Sequence, residues 1–527
     1  MKITRSHLGL LVVALGFIAS AVHVLRGPAA TAPTDKTVLR IGHWLMHAGM
    51  REAFDEAARR YELEHPDVHI EQIVVPIRSY PAWTRTQLVG GTAPDITGLH
   101  TVDSQMMARY FVPLNDALAQ PNPYHVGTPL EGQPWRETFA DGLDSIRALT
   151  PATGDIAGIA LQINTRRLYT NLDLLQRITG QTTPPRTYEE FQALGAQVEA
   201  YNRERPAATG ITTIAMCGPY FGYLRESLLP SQTQKLAERV SPMRNLKVDA
   251  HEEALLILDG TLDPRLPDYQ SSFDLLRDVS SMMPPGFEQF QRDDALFMFL
   301  QGRAVTFIAG SWDYGVLVRD GPFPVAVTRV PIPDTDDPTY GRFTLGPPSE
   351  AAAGHEAAMG IVRHSKNQAL ALDFLRFLTK PEIAQMFSDY SHRVSAVIGV
   401  KPPEGAEELA PQLEGATGGL HLDALYLGAR HTMGLFARKS HLITGTNSSV
   451  EAFTTAIEQE LPDNLRADLG SFARTDRQEV ERADALIGLR WTRPGGPDAH
   501  WRQTIESQNF REVRIHEVEQ TIAESLQ

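Results

Sequence analysis

The stretch Gly90-Gly91-Thr92-Ala93-Pro94-Asp95-Ile96 constrains the fold more than any other. Two glycines can take the left-handed backbone that closes a helix. Pro94 drives Ala93 into an extended conformation. The spacing predicts a helix stop, a stiff turn and a short strand over 95–99 that opens onto His100, Thr101 and Asp103. Upstream, 38–42 and 69–75 read as strands, and between them Met50, Phe54, Ala57, Ala58 and Tyr61 fall on one helical stripe. Strand, helix, strand, helix, strand specifies a parallel sheet. Such a sheet binds ligands in the crevice beyond the carboxyl ends of its strands. Trp44 and His47 follow the first strand and Tyr80 and Trp83 follow the second, so all four are expected in crevice-side loops.

A chain of 527 residues is too long for one core and implies at least two domains. The net charge of −15 argues against a nucleic-acid face. Cys217 is the one cysteine, which excludes an internal disulfide and a zinc ribbon. At the N-terminus, Lys2 and Arg5 precede an apolar run over 8–25, the pattern of an export signal, with Ala19-Ser20-Ala21 as small residues for cleavage. A run of about 18 residues also reaches the lower limit of a membrane span, so 1–26 reads as a signal peptide or an uncleaved anchor. No cysteine stands near residue 20 to carry a lipid, and 27–37 reads as a linker rich in Pro, Ala and Thr.

Further along, 156–163 reads as a strand that ends at Gln162 and Asn164. Thr187 and Glu190 form a Thr-x-x-Glu capping box behind Pro184-Pro185, and Thr379 and Glu382 form a second around Pro381. The strand 211–217 runs into Gly218-Pro219-Tyr220, and 304–308 runs into Gly310-Ser311-Trp312. Further strands are expected over 325–332 and 357–362, a helix over 365–378, and only helix beyond 402. In the last helix Val513, Val518 and Ile522 are expected on one face. Phosphate-loop, dinucleotide, zinc-protease and nucleophile-elbow motifs are all missing from the sequence. His43 and His47, like His65 and His69, have metal-ligand spacing, but neither pair falls within one helix, and they read as surface or hydrogen-bonded histidines.

Taken in order, 39–66, 90–96, 156–175, 184–191, 299–312 and 357–381 make the chain resemble the bacterial extracellular solute-binding proteins of ATP-driven importers, in the sugar-binding class that includes maltose-binding protein. The resemblance covers most of 38–400. It implies an α/β, two-lobed periplasmic-binding fold of type II with a hinge between lobes. It places one lobe at 38–160 with 304–364, the other at 161–303 with 365–402, and a helical extension, 403–527, on the second lobe.

Carried over position by position, Trp312 is similar to the family's sugar-stacking tryptophan, and Tyr220 to an aromatic residue on the opposite lobe. Asp103 and His100 stand where polar side chains read hydroxyls, as do Gln162 and Asn164 at the hinge. Trp44, His47, Tyr80 and Trp83 are the remaining candidates. Where the family often carries an aromatic after the Pro-Asp-Ile strand, this chain has Thr97, Gly98 and Leu99. The implied function is a monomeric, non-enzymatic receptor without cofactor or metal. It would sit on the extracytoplasmic side, capture a carbohydrate or related small solute between its lobes and deliver it to importer membrane subunits. The alternatives are a ligand-sensing or scaffold module of a membrane signalling complex and a glycan-active enzyme.

Overall fold

The computed structural model describes residues 36–526 apart from 47–48, 148, 150–154, 206–209, 242–247, 320, 352–353, 426, 428, 446 and 492–498. The export segment 1–26, nearly all of the linker and His47 therefore lie outside the described residues. Among the described residues no helix is long and apolar enough to cross a membrane.

In chain order the strands are β1 (Thr37–His43), β2 (Val68–Val74), β3 (Ile96–Gly98), β4 (Ile159–Ile163), β5 (Arg166–Asn171), β6 (Thr212–Ala215), β7 (Ala304–Gly310), β8 (Val325–Arg329) and β9 (His355–Ile361). They form two sheets, ordered β2-β1-β3-β9-β4 and β6-β7-β5-β8. As the alternation over 38–99 requires, β1 pairs in parallel with both β2 and β3. β9 then runs antiparallel between β3 and β4. The helix Met50–Glu64 buries Met50, Ala53, Phe54, Ala57 and Tyr61 in the first lobe's core. Gly91, at φ 67°, closes the helix Tyr80–Gly90, and its N–H meets the carbonyls of Gln87 and Leu88.

The family-derived lobe boundaries need correction. β7 and β8, expected in the first lobe as part of 304–364, belong to the second sheet, and only β9 of that stretch joins the first. β7 is buried along its whole length because it lies between β6 and β5. The helices Gln368–Leu378 and Pro381–Ser391, expected in the second lobe, bury Phe374, Leu375, Phe377, Ile383 and Phe387 in the first core. The change of sheet falls at Asn164 and Thr165, between β4 and β5, rather than at 161.

Two local expectations also fail. Tyr80 and Trp83 lie on a helix, not in a loop, because Ser79 and Pro81 start the helix at once. The Thr187 capping box forms, whereas Thr379 makes none. The Thr379 hydroxyl instead donates to the Arg376 carbonyl at 2.9 Å and accepts from the Trp135 indole N–H at 2.9 Å.

Beyond 402, Leu409, Leu420, Leu435, Phe453, Leu465 and Val518 join the second lobe's core. The long helices Leu461–Trp491 and Ala499–Glu524 pack on each other and on the helix Ala250–Leu258. Val518 is buried there, but Val513 is 67% exposed; Ile515 takes the inward position.

Candidate functional site

Trp312 begins where β7 ends, and its ring lies over the strand it has just left. A Cβ on Gly310 would fall within the indole, so the glycine is what lets the ring fold back. The indole N–H donates to the Tyr220 hydroxyl at 2.7 Å, and that hydroxyl donates to Asp313 at 2.6 Å. Arg292 Nε lies 3.1 Å from both the Tyr220 oxygen and Asp313, and its Nη2 also meets Asp313. Burial pushes the Tyr220 phenol far above its ordinary range, with the Asp313 charge adding to it, so the hydroxyl keeps its proton as donor. Asp313 is wholly buried; desolvation raises its pKa and Arg292 opposes the shift. The network fixes a half-buried Trp312 in one orientation.

A second ring completes the corner. Tyr223 lies one turn beyond Tyr220 on the helix Gly218–Leu228. Its ring stands 5.8 Å from Trp312 at 74°. The Arg166 guanidinium sits in the angle, 4.3 Å from the Tyr223 centroid and 5.4 Å from that of Trp312. Arg166, Tyr223 and Asn164 also line a cavity of about 710 Å³ whose other walls come from Ser231, Glu350 and His421. This volume falls in the range of small-molecule sites. The cavity lies on the second lobe's side of the crossing strands. Below it, the buried Arg167 holds Glu350 in a two-pronged pair at 2.8 and 3.0 Å and donates to the Ala410 carbonyl at 2.7 Å.

The first-lobe candidates form a separate cluster. Trp44 stacks on His100 at 4.8 Å and tilts against Tyr80 at 5.3 Å. Gly98 leaves room for the Trp44 ring, where a Cβ would collide with it. Burial lowers the His100 pKa. Asn164 Nδ2 donates to the His355 carbonyl at 3.3 Å, and burial lowers the His355 pKa, with Asp141 opposing the shift and His100 adding to it.

Several expectations about single residues change. Tyr80 has no exposed surface, and its hydroxyl donates to the Gly98 carbonyl at 2.8 Å, so it is a core support. Trp83 packs against Gly42 on the sheet. Tyr220 is buried and holds Trp312 rather than offering a face of its own. Gln162 is buried at the hinge, where Nε2 donates to Ser391 at 2.7 Å. Asp103 caps the helix Ser104–Tyr110 and pairs with Arg85 at 3.3 Å. His43 is buried with its ring nitrogens on Gln72 and Leu45, and His69 pairs with Glu62. Among the described residues no group of three or more His, Cys, Asp or Glu could hold a metal ion.

Arg166 and Tyr223 were not singled out by the sequence reading. Tyr223 had a signal, since a residue three beyond Tyr220 on a helix shares its face. Arg166 had only its place two residues after the hinge.

A two-sheet molecule with crossing strands and a lateral cavity is the architecture of a two-lobed binding protein. The chain belongs to the bacterial extracellular solute-binding protein family, whose model matches residues 56–410. No curated protein matches it. Many solved structures share the fold, and three illustrate it. A chitin oligosaccharide binding protein superposes with a TM-score of 0.54 at 17% identity, covering 82% of this chain and 99% of that one. RafE in complex with raffinose gives 0.54 at 15%, covering 82% and 100%. The cyclic alpha-maltosyl-1,6-maltose binding protein from Arthrobacter globiformis gives 0.54 at 16%, covering 82% and 99%.

Proposed function

We propose that this solute-binding protein captures a carbohydrate at the face formed by Arg166, Tyr223, Trp312 and the adjoining cavity, and passes it to an ATP-driven importer. The observation that carries the reading is the aromatic corner, two rings 5.8 Å apart at 74° beside a cavity of about 710 Å³. Rings cover the apolar C–H faces of a sugar, while the side chains of Asn164, Ser231 and His421 meet its hydroxyls. Closure would bring Trp44 and His100 of the first lobe toward the second. The solved structures named for chitin oligosaccharide, raffinose and cyclic maltosyl-maltose support this class of ligand.

The reading includes export by the segment 1–26, a monomeric receptor and no turnover of the bound sugar. Titration calorimetry and thermal shift against mono- and oligosaccharides test it. A ligand at 100 times its Kd stabilises the native state by about 2.7 kcal/mol. A panel in which no sugar raises the midpoint overturns the carbohydrate assignment, and a shortened glycan after incubation overturns the non-enzymatic one.

A further inference from the structure

We infer that the ligand is an anionic sugar, one carrying a carboxylate or a phosphate, and that Arg166 reads that group. The inference rests on the carbohydrate reading and narrows it. In the corner between Tyr223 and Trp312 a guanidinium stands beside the two rings, 4.3 Å from one centroid and 5.4 Å from the other, so a sugar against these rings meets a cation. The two rings flank the guanidinium. Arg166 Nε is buried and has no hydrogen-bond partner, a costly state for a donor of a charged group.

Six carboxylates, Glu189, Glu226, Asp334, Asp336, Asp337 and Glu350, line the cavity with Arg166, and none of them forms an ion pair with it among the described residues. Glu226 is close enough to influence Arg166 electrostatically, yet no ion pair forms between them among the described residues. Glu350 is engaged by Arg167 and by the Gln412 N–H. Asp334 accepts from the Thr335 N–H and Asp337 from the Tyr340 N–H, so both serve their own turns. Arg329 lines the same cavity and forms no ion pair among the described residues. A planar guanidinium matches a carboxylate or phosphate in a two-pronged contact, and hydroxyls match it less well.

The experiment compares four probes by calorimetry on the full chain: a trigalacturonide, its methyl ester, a hexose 6-phosphate and a neutral trisaccharide. The expected result is binding of the trigalacturonide or of the phosphate, with the methyl ester at least tenfold weaker than its acid. Which of the two anions binds identifies the source of the charge. Arg166→Gln is expected to reduce affinity for the anionic probe by about 10–100-fold. Arg166→Lys, which keeps charge but loses the fork, is expected to recover part of that loss. The wild-type comparison of acid and ester stands even if a variant fails to fold. Equal affinity for acid and ester, or binding of the neutral trisaccharide alone, overturns the inference and leaves the carbohydrate reading intact. Binding of none of the four overturns this inference, and the wider sugar panel then decides the reading beneath it.

Discussion

The Arg393 guanidinium lies 2.5 Å from the Glu356 carboxylate, and both side chains are almost completely buried. Glu356 is on β9 of the first lobe. The other arm of Arg393 donates to the main-chain carbonyl of Trp312, on the second lobe, at 3.4 Å. One cation therefore binds the hinge to the strand end that carries the tryptophan. Removing one partner of a buried pair leaves an uncompensated charge. Arg393→Met is expected to lower stability by about 3 kcal/mol, read as a fall in the urea midpoint. Arg393→Met with Glu356→Gln should recover part of the loss. A single variant as stable as wild type would show that the pair contributes nothing.

Tyr220→Phe isolates the hydroxyl that links Trp312 to Asp313. The ring stays in the core, against Phe307 at 5.8 Å. The indole N–H and Asp313 each lose a partner, which costs about 1–3 kcal/mol. Because Trp312 then loses its fixed orientation, ligand affinity is expected to fall by a larger factor than the melting temperature suggests. Affinity unchanged within twofold would mean that the network does not orient the ring.

The parallel half of the first sheet was legible because short-range signals agreed. Gly91 closes a helix, Pro94 stiffens a turn, and Met50, Phe54, Ala57 and Tyr61 share a stripe. The lobe to which β7 belongs was not legible. Its run over Ala304–Gly310 is apolar on both faces, as any central strand would be, and nothing local says which sheet it enters. The helix Gln368–Leu378 posed the same problem, since an amphipathic stripe does not name its partner core. In the site, Gly310-Ser311-Trp312 could be read as a strand end with an aromatic. Tyr80 and Tyr220 could not be told from binding rings, because burial of a tyrosine depends on long-range neighbours such as Gly98 and Asp313.

His43 predicts an acid-sensitive component of stability. Its ring stacks on Phe54 at 4.6 Å, Nε2 meets Gln72 at 2.9 Å and Nδ1 accepts from the Leu45 N–H at 3.1 Å. Burial lowers its pKa from 6.5 to about 4. The folded state therefore favours the neutral ring. The stabilisation is present above the unfolded value and is lost as pH falls from about 6.5 through about 4. Full protonation would remove at most about 3 kcal/mol. His43→Gln should flatten the decline in unfolding free energy between pH 7 and pH 4. An identical slope in wild type and variant would assign the acid sensitivity elsewhere.

Gly310 offers the sharpest separation of fold from site. It ends β7 with extended backbone, so alanine meets no conformational penalty there. What alanine meets is the Trp312 ring, whose six-membered edge occupies the space a Cβ needs. The strand is held by its pairing with Arg166 across the sheet, and the cheaper response is for the half-buried indole to swing outward. That motion breaks the 2.7 Å bond to Tyr220 and opens the corner in which Arg166 sits. Gly310→Ala is expected to cost about 1–3 kcal/mol of stability and to weaken ligand binding at least tenfold, with a shift in tryptophan fluorescence. Trp312→Ala should weaken binding similarly while leaving the strand unstrained. If Gly310→Ala unfolded the protein while Trp312→Ala bound normally, the glycine would serve packing alone and the ring would lie outside the binding face.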